Sequence, residues 1–365
     1  MVQITAAVSG VLLAFSLAIG VRFLANRMAT PYTVLLVAVG FLLTVLPLHS
    51  YLEFSLEPLF THDVILFVFL PGIVFYGAAE IDHERFRRNL LITGLMVIVG
   101  LPVAVFAIGW IGSVVFEVPL LIVLLFASMA YPIDPVAVLS LFDETGVPDR
   151  LAVLVEGESL LDDGLAIVVF SAILELVRQA GPGELSGSAL FSASRLAAIV
   201  GDFLLVSAGG IFVGLGIGYA AYRLELVTTD DANHFMISLV AAYGSFYLAE
   251  HVLHVSGILA TVASGLILGI FARRHALSEK NLDMLVQTWG YMVFFLETLL
   301  FVAIGLQVPS TEIVTNLSII FGTLALLVGS RAGVIYGLLG LLNQWIDDPV
   351  PISYQHVIIW GGCTV

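Results

Sequence analysis

The chain has 365 residues, of which 60% are hydrophobic and 11% are charged, and its mean hydropathy is +1.08. Soluble domains carry roughly 25% charged residues, so a soluble globular protein is excluded and a polytopic membrane protein is predicted. The formal net charge of −15 excludes nucleic-acid binding, which requires a basic surface, and the single cysteine, Cys363, excludes an internal disulfide.

Apolar runs of about 20 residues predict the membrane spans. Eleven such runs follow one another with no low-complexity linker or soluble domain between them, and a twelfth begins near residue 350. The first run lacks the basic region and cleavage site of a signal peptide, so it is predicted to be a span. We therefore expect an all-α protein with a single transmembrane domain over residues 1–365. The eleven runs are 4–24, 32–48, 64–80, 90–110, 118–142, 151–178, 193–223, 233–250, 255–272, 286–308 and 313–343.

The distribution of lysine and arginine predicts how the chain is oriented. Cytoplasmic loops are enriched in these residues, and ten of the thirteen lie in or beside alternate connections between the predicted spans. We therefore expect a multi-pass protein of the plasma (inner) membrane with its N-terminus outside. The ten residues are Arg22, Arg27, Arg85, Arg87, Arg88, Arg150, Arg223, Arg273, Arg274 and Lys280.

The fifth run contains Asp134 between Pro132 and Pro135. Each proline removes a backbone donor and disfavours helix before it, so the span is predicted to break here. Non-helical backbone at this depth survives only beside protein or in a wet cavity, and broken helices near the midplane mark cation sites in secondary transporters. The alternative is a proline kink with a capping aspartate. The acids of the next run favour the cation site.

The sixth run carries four acids within eight residues, Glu156, Glu158, Asp162 and Asp163. A charge at the centre of a membrane helix costs roughly 2.5–3.5 kcal/mol, which makes such a group a candidate functional site. Glu158 and Asp162 share one helix face, and Ser159 shares another with Asp163. Asp162 and Asp163 point about 100° apart, so one can face a pathway while the other faces protein. Glu156, nearest the cytoplasmic end, is expected to be solvated.

Arg331 is the one cation predicted in the middle of the membrane. Arginine stays protonated in proteins, so Arg331 requires an anion, and Glu158 is the predicted partner in a buried ion pair between two helices. This pairing leaves Asp162 and Asp163 without a permanent counter-ion. A site that holds either a metal cation or a proton is the minimum needed for exchange.

Other features of the sequence bear on function more weakly. Glu297, in the tenth run, is either a second acid near the pathway or an acid bonded to backbone within the bundle. Gly210, Gly214 and Gly218 form a stripe of small residues that predicts close helix packing. The chain has neither a phosphate-binding G-x-x-x-x-G-K-[ST] loop nor a Cys/His cluster. We therefore expect a transporter driven by ion gradients, with no cofactor and no enzymatic activity.

Several of these stretches resemble the monovalent cation:proton antiporters of the NhaP/NHE type, the sodium/proton exchangers. The matching segments are IDPVAV at 133–138, EGESLLDDG at 156–164, the Arg331 span and WGG at 360–362. The resemblance covers essentially the whole chain. It implies an inverted-repeat fold with broken crossing helices, thirteen spans with the N-terminus outside, and a homodimer.

The resemblance also implies roles for individual residues. Asp163 is expected to bind the monovalent cation or the proton. Asp134 and Ser159 are expected to shape the site, and Glu158 is expected to pair with Arg331.

The sequence departs from the family pattern at three places. Ile133 replaces the usual threonine, although its main-chain carbonyl can still bind a cation. Asp162 replaces the usual asparagine, as in the electrogenic relatives, which leaves the proton-to-cation ratio open. After WGG the chain ends in Cys363, Thr364 and Val365, so we expect it to be C-terminally incomplete relative to the thirteen-span fold.

These observations predict a secondary active antiporter that exchanges Na⁺, or alternatively Li⁺ or K⁺, for H⁺ by alternating access. A different class, a cation channel or an ion-sensing receptor on the same helical bundle, would show conductance or ligand binding without obligatory coupling. A proton-pumping subunit requires intramembrane lysines, and this chain has one lysine, in a loop.

Overall fold

The structure is a computed structural model that describes residues 2–28, 30–45, 60–132, 138–139, 142, 146–179, 193–228, 230–271, 279–308, 315–346 and 348–361. Within these ranges the chain forms twelve helices of ten residues or more, one for each predicted span. The helices are α1 (Val2–Met28), α2 (Tyr32–Val45), α3 (Leu70–Glu80), α4 (His83–Phe116), α5 (Leu120–Ala130), α6 (Asp149–Gln179), α7 (Ala193–Glu225), α8 (Asp231–Tyr247), α9 (Gly257–Phe271), α10 (Glu279–Gln307), α11 (Leu317–Leu342) and α12 (Ile352–Gly361).

The helices differ in length and in apolar composition, which together decide which of them can cross a membrane. In the described part of the chain, six helices are long and apolar enough to cross a membrane, namely α1, α4, α7, α8, α10 and α11. Helix α6 is 31 residues long and carries the acids. Helix α5 ends at Ala130 and is followed by a bend at Tyr131 and Pro132, in agreement with the predicted break. Ile133 and Asp134, the next residues, lie outside the described ranges.

Helix α4 is longer than the predicted span, 90–110. It begins at His83 because Asp82 caps it: the Asp82 carboxylate accepts hydrogen bonds from the backbone N–H groups of Glu84 and Arg85, at 3.1 and 3.0 Å. The basic run at 83–89 is therefore the first part of the helix. Halfway along, Met96–Gly100 form a π-helical turn, which holds one extra residue. Similar turns lie before α3 and after α8, at Ile65–Phe69 and Leu248–Val252.

The glycine stripe on α7 packs directly against α9. A Cβ atom on Gly210, Gly214 or Gly218 would overlap the backbone of α9 or of Ser256, which precedes it. The predicted packing role of this stripe is therefore confirmed. Helix α9 is buried along most of its length and also contacts α3, α6 and α8, so it lies near the centre of the bundle.

The other helices form two groups. Helix α10 contacts α1, α2 and α3, and α1 also contacts α2. Helix α6 contacts α4, α5 and α12, and α11 contacts α4 and α12. Large apolar side chains such as Ile19 of α1, Phe212 of α7 and Val240 of α8 point outward and are exposed, as expected of a surface that faces lipid. This arrangement encloses the acidic part of α6 between α4, α5 and α9, with α11 and α12 beside it.

Candidate functional site

Helix α6 is held closely by two of its neighbours. The ring of Phe86, on α4, fills the space where a Cβ atom on Gly157 would lie, and the side chain of Leu259, on α9, does the same at Gly164. Larger side chains at these two positions would push the helices apart. The close packing therefore fixes the rotation of α6 about its axis, and with it the directions of the acids between these glycines.

The acids of α6 differ in burial as their helical spacing predicts. Glu158 and Asp162 are 4% and 1% exposed, whereas Asp163 is only partly buried. Asp162 and Asp163 therefore point into different surroundings, one into the protein and one towards a more open region. Ser159 is buried. Glu156, expected to be solvated, is instead half-buried, because α6 begins about two turns before it, at Asp149.

Glu158 and Arg331 lie in contact in the structure. Arg331 Nη2 is 2.9 Å from Glu158 Oε1, and both side chains are 6% exposed. The Nε and Nη2 groups of Arg331 also donate to the main-chain carbonyl of Ile358, each at 3.2 Å. One guanidinium thus joins α6, α11 and α12.

A fourth group at this ion pair, Tyr131, was not identified from the sequence. The tyrosine is 4% exposed, and its ring centroid lies 5.7 Å from Arg331 Cζ, within the range of a cation–π interaction. The sequence indicates this role of Tyr131 only weakly, since the residue is simply an aromatic side chain directly before Pro132, in a span that is predicted to break. Tyr131 brings the end of α5 to the ion pair.

Asp162 has an unsatisfied carboxylate oxygen. Within the described residues, Asp162 Oδ1 is fully buried and has no hydrogen-bond partner. Buried polar atoms in proteins are nearly always satisfied, and an isolated buried carboxylate is costly. A proton or a bound cation would satisfy this oxygen, and Glu158, one turn away on the same face, increases the local negative charge.

Three other predicted residues lie away from this cluster or cannot be placed. Asp134 and Ile133 fall outside the described residues, so their position relative to α6 stays a prediction. Glu297 is half-buried on α10, where it interacts electrostatically with Tyr32 of α2 and Tyr76 of α3.

A second buried acid–base pair, also missed from the sequence, lies where α7 and α8 meet. Glu225 Oε2 and His234 Nδ1 are hydrogen-bonded, and the two residues are 1% and 2% exposed. The other carboxylate oxygen of Glu225 has no hydrogen-bond partner in the described structure. The signal in the sequence is an acid and a histidine nine residues apart, at the facing ends of two apolar runs.

Carboxylates buried in a bundle of apolar helices, beside a helix that breaks, are typical of an integral membrane transporter with an ion site. The chain belongs to the sodium/hydrogen exchanger family: the transmembrane model of that family matches residues 11–365.

Individual relatives agree with this assignment. The chain is 32% identical to the Na(+)/H(+) antiporter ApNhaP of Aphanothece halophytica, over 91% of this chain and 60% of that protein. It is 28% identical to the Na(+)/H(+) antiporter NhaH of Halobacillus dabanensis, over 96% of this chain and 85% of the relative. The chain therefore spans about three fifths of the length of the first of these relatives and most of the second.

A solved structure shows the same fold. The sodium proton antiporter MjNhaP1 from Methanocaldococcus jannaschii, solved at pH 8, matches with a TM-score of 0.75 at 19% sequence identity, over 98% of this chain and 84% of that one. This likeness confirms the predicted fold class, an all-α membrane protein of the inverted-repeat antiporter type.

Proposed function

We propose that the chain is a secondary active antiporter that exchanges Na⁺ for H⁺ across the membrane by alternating access, with Li⁺ and K⁺ as alternative cations. Membership of the sodium/hydrogen exchanger family supports this proposal, as do the relatives named as Na(+)/H(+) antiporters. These names describe the relatives, and the first of them is considerably longer than this chain.

One observation supports the proposal most directly: Glu158 forms an ion pair with Arg331, whereas one carboxylate oxygen of Asp162 has no hydrogen-bond partner among the described residues. Asp162 is 1% exposed. A buried carboxylate in this situation favours any small cation that can reach it. Because Na⁺ and H⁺ would satisfy the same oxygens, binding of one excludes the other, as an exchanger requires.

Within this proposal the residues of α6 have separate tasks. Asp163, which is partly exposed, carries the cation or the proton, and Asp162 supplies a second carboxylate to the same site. Ser159, on the same helix face as Asp163, shapes the site, and Asp134 and the carbonyl of Ile133 contribute oxygens from the broken span. Glu158 and Arg331 hold the surrounding helices in place.

We further propose that residues 1–365 form one transmembrane domain that works as a homodimer. The protein would lie in the plasma (inner) membrane with its N-terminus outside, as the positions of lysine and arginine favour. Elevator-like movement of the helices around α6 against the others, which the family resemblance implies, would carry the ion from one side to the other.

The substitution Asp163→Asn tests the proposed site. A neutral amide cannot alternate between a proton and a cation, so we expect no exchange. The protein is reconstituted into liposomes with a preset pH gradient, and addition of Na⁺ is followed with a pH-sensitive dye. Asp202→Asn is the matched control, because Asp202 is an exposed acid on α7, and this variant should exchange at the rate of the unmodified protein.

Exchange by Asp163→Asn at the rate of the unmodified protein would refute the assignment. The same liposomes, with and without an imposed voltage, measure whether each cycle moves net charge. Na⁺ flow that needs no counterflow of protons would identify a channel instead of an antiporter.

A further inference from the structure

Tyr131 is held in a fixed position at the end of α5. It belongs to a buried cluster with Leu101 of α4, Ala127 of α5 and Ala166 of α6, and Val334 of α11 packs against that cluster. Contacts with several helices leave the ring little freedom to turn. The ring of Tyr131 is therefore held in one orientation, although Tyr131 directly follows Ala130, the last residue of α5.

The guanidinium of Arg331 is held by three different kinds of contact. It forms an ion pair with Glu158 and donates to the carbonyl of Ile358, and its Cζ atom lies 5.7 Å from the centroid of the Tyr131 ring. The first two contacts attract specific N–H groups. The aromatic ring attracts the charge as a whole, and the side chain of Tyr131 also has a hydrogen-bond contact with Arg331.

Asp162 is the competing anion for Arg331. It lies one helical turn from Glu158 on the same face of α6, and it interacts electrostatically with Arg331. Its Oδ1 atom has no hydrogen-bond donor within the described residues. A guanidinium that swung from Glu158 to Asp162 would satisfy this oxygen, and it would then compete with any incoming cation.

We propose that Tyr131 is a positioning residue that keeps Arg331 on Glu158 and away from Asp162, and thereby sets the affinity of the site for Na⁺. The inference rests on the proposed function, since it concerns the same cation site. Tyr131 does not touch the cation in this arrangement. It acts through Arg331, chiefly through the face of its ring.

Na⁺-dependent exchange in proteoliposomes tests the affinity effect. Tyr131→Leu removes the ring, and we expect the apparent KM for Na⁺ to rise about fivefold to tenfold, the size of a buried cation–π contact, while the maximal rate changes by less than about twofold. Tyr131→Phe keeps the ring and loses only the hydroxyl contact with Arg331, so its KM should rise clearly less than that of the leucine variant. Tyr131→Met, which fills a similar volume without a ring, is measured alongside in case the leucine variant does not fold.

Phe246→Leu is the matched control, because Phe246 is a buried aromatic residue that packs on Phe67 and Ile258, away from the ion pair. It should lower stability and leave the KM for Na⁺ unchanged. The proposal is overturned if Tyr131→Leu and Tyr131→Met keep the original KM. It is also overturned if Tyr131→Phe is as impaired as they are, because the ring face would then not be the active feature.

A thermal-unfolding cycle tests the same contact without transport. Tyr131→Leu, Glu158→Gln and the double variant are unfolded in detergent. If Tyr131 holds Arg331 for Glu158, the double variant should lose clearly less in Tm than the sum of the two single losses. Additive losses would overturn the proposal. If the unmodified protein shows no Na⁺-driven proton movement, the proposed function fails, and this cycle still decides the role of Tyr131.

Discussion

Among the residues that the structure describes, two buried acid–base pairs differ in the nature of the base. Glu158 is paired with Arg331, whose charge is permanent because arginine does not lose its proton in proteins. Glu225 is paired with His234, which carries a charge only when protonated. The first pair joins helices around the proposed cation site, and the second joins the ends of α7 and α8. The comparison indicates that the helices around the site are held by a charge that pH does not remove.

The two pairs also differ in how many helices they join. Arg331 contacts a carboxylate on α6, a main-chain carbonyl on α12 and an aromatic ring at the end of α5, whereas, within the described residues, Glu225 and His234 join only α7 and α8. A buried charged pair is costly to break from one side only, because the group left behind stays buried. We therefore expect substitutions in the first pair to have the larger effect on stability.

Arg331→Met should produce the largest loss. It leaves Glu158 buried without its counter-ion, a situation that costs about 3–5 kcal/mol in the free energy of unfolding. Unfolding of the detergent-solubilised protein by denaturant or heat measures this loss. The double variant Glu158→Leu with Arg331→Met removes both charges and should recover most of the stability. A single variant as stable as the unmodified protein would contradict the importance of this pair.

His234→Gln should have an intermediate effect. It keeps a polar side chain beside Glu225 but removes the chargeable ring, and we expect a loss of about 1–3 kcal/mol. Unfolding by denaturant or heat is measured in parallel with that of Arg331→Met. A loss as large as that of Arg331→Met would remove the distinction between the pairs.

Arg88→Gln should have the smallest effect and provides the baseline for an exposed pair. Arg88 and Glu84 are i,i+4 partners on α4 at 2.6 Å, with side chains that are 71% and 62% exposed. Solvent-exposed pairs of this kind contribute about 0.3–0.5 kcal/mol, and salt screens them. Unfolding at low and high salt should show almost no difference from the unmodified protein. A loss comparable with that of His234→Gln would mean that burial does not separate these pairs.

The sequence predicts most of the helices and part of the candidate site. Apolar runs locate all twelve described helices, and two prolines locate the end of α5. The contact between Glu158 and Arg331 is predicted in part from charge: one mid-membrane cation needs an anion, and most of the intramembrane acids lie in the sixth run. The different burial of Asp162 and Asp163 follows from the 100° step of the helix.

The features that the sequence does not predict depend on packing between distant segments. Tyr131 lies beside Arg331, which is 200 residues away in the chain, and no periodic pattern in the sequence predicts that contact. The pair of Glu225 and His234 requires the specific angle at which α7 and α8 meet. The π-helical turns are also not predicted from the sequence, because one extra residue in a uniformly apolar helix leaves the hydrophobic pattern unchanged.

The π-helical turn at Met96–Gly100 has a consequence for how α4 can vary. Its first half packs on α6 through Phe86, and its second half packs on α5, where Leu101 and Ile108 lie in one buried cluster with Leu124. The π-helical turn accommodates one residue more than an ordinary α-helical turn. Deleting a single residue within the turn would restore an uninterrupted α-helix and leave Leu101 and Ile108 against α5. This turn is therefore a place where α4 can change its length during evolution without losing the packing of either half.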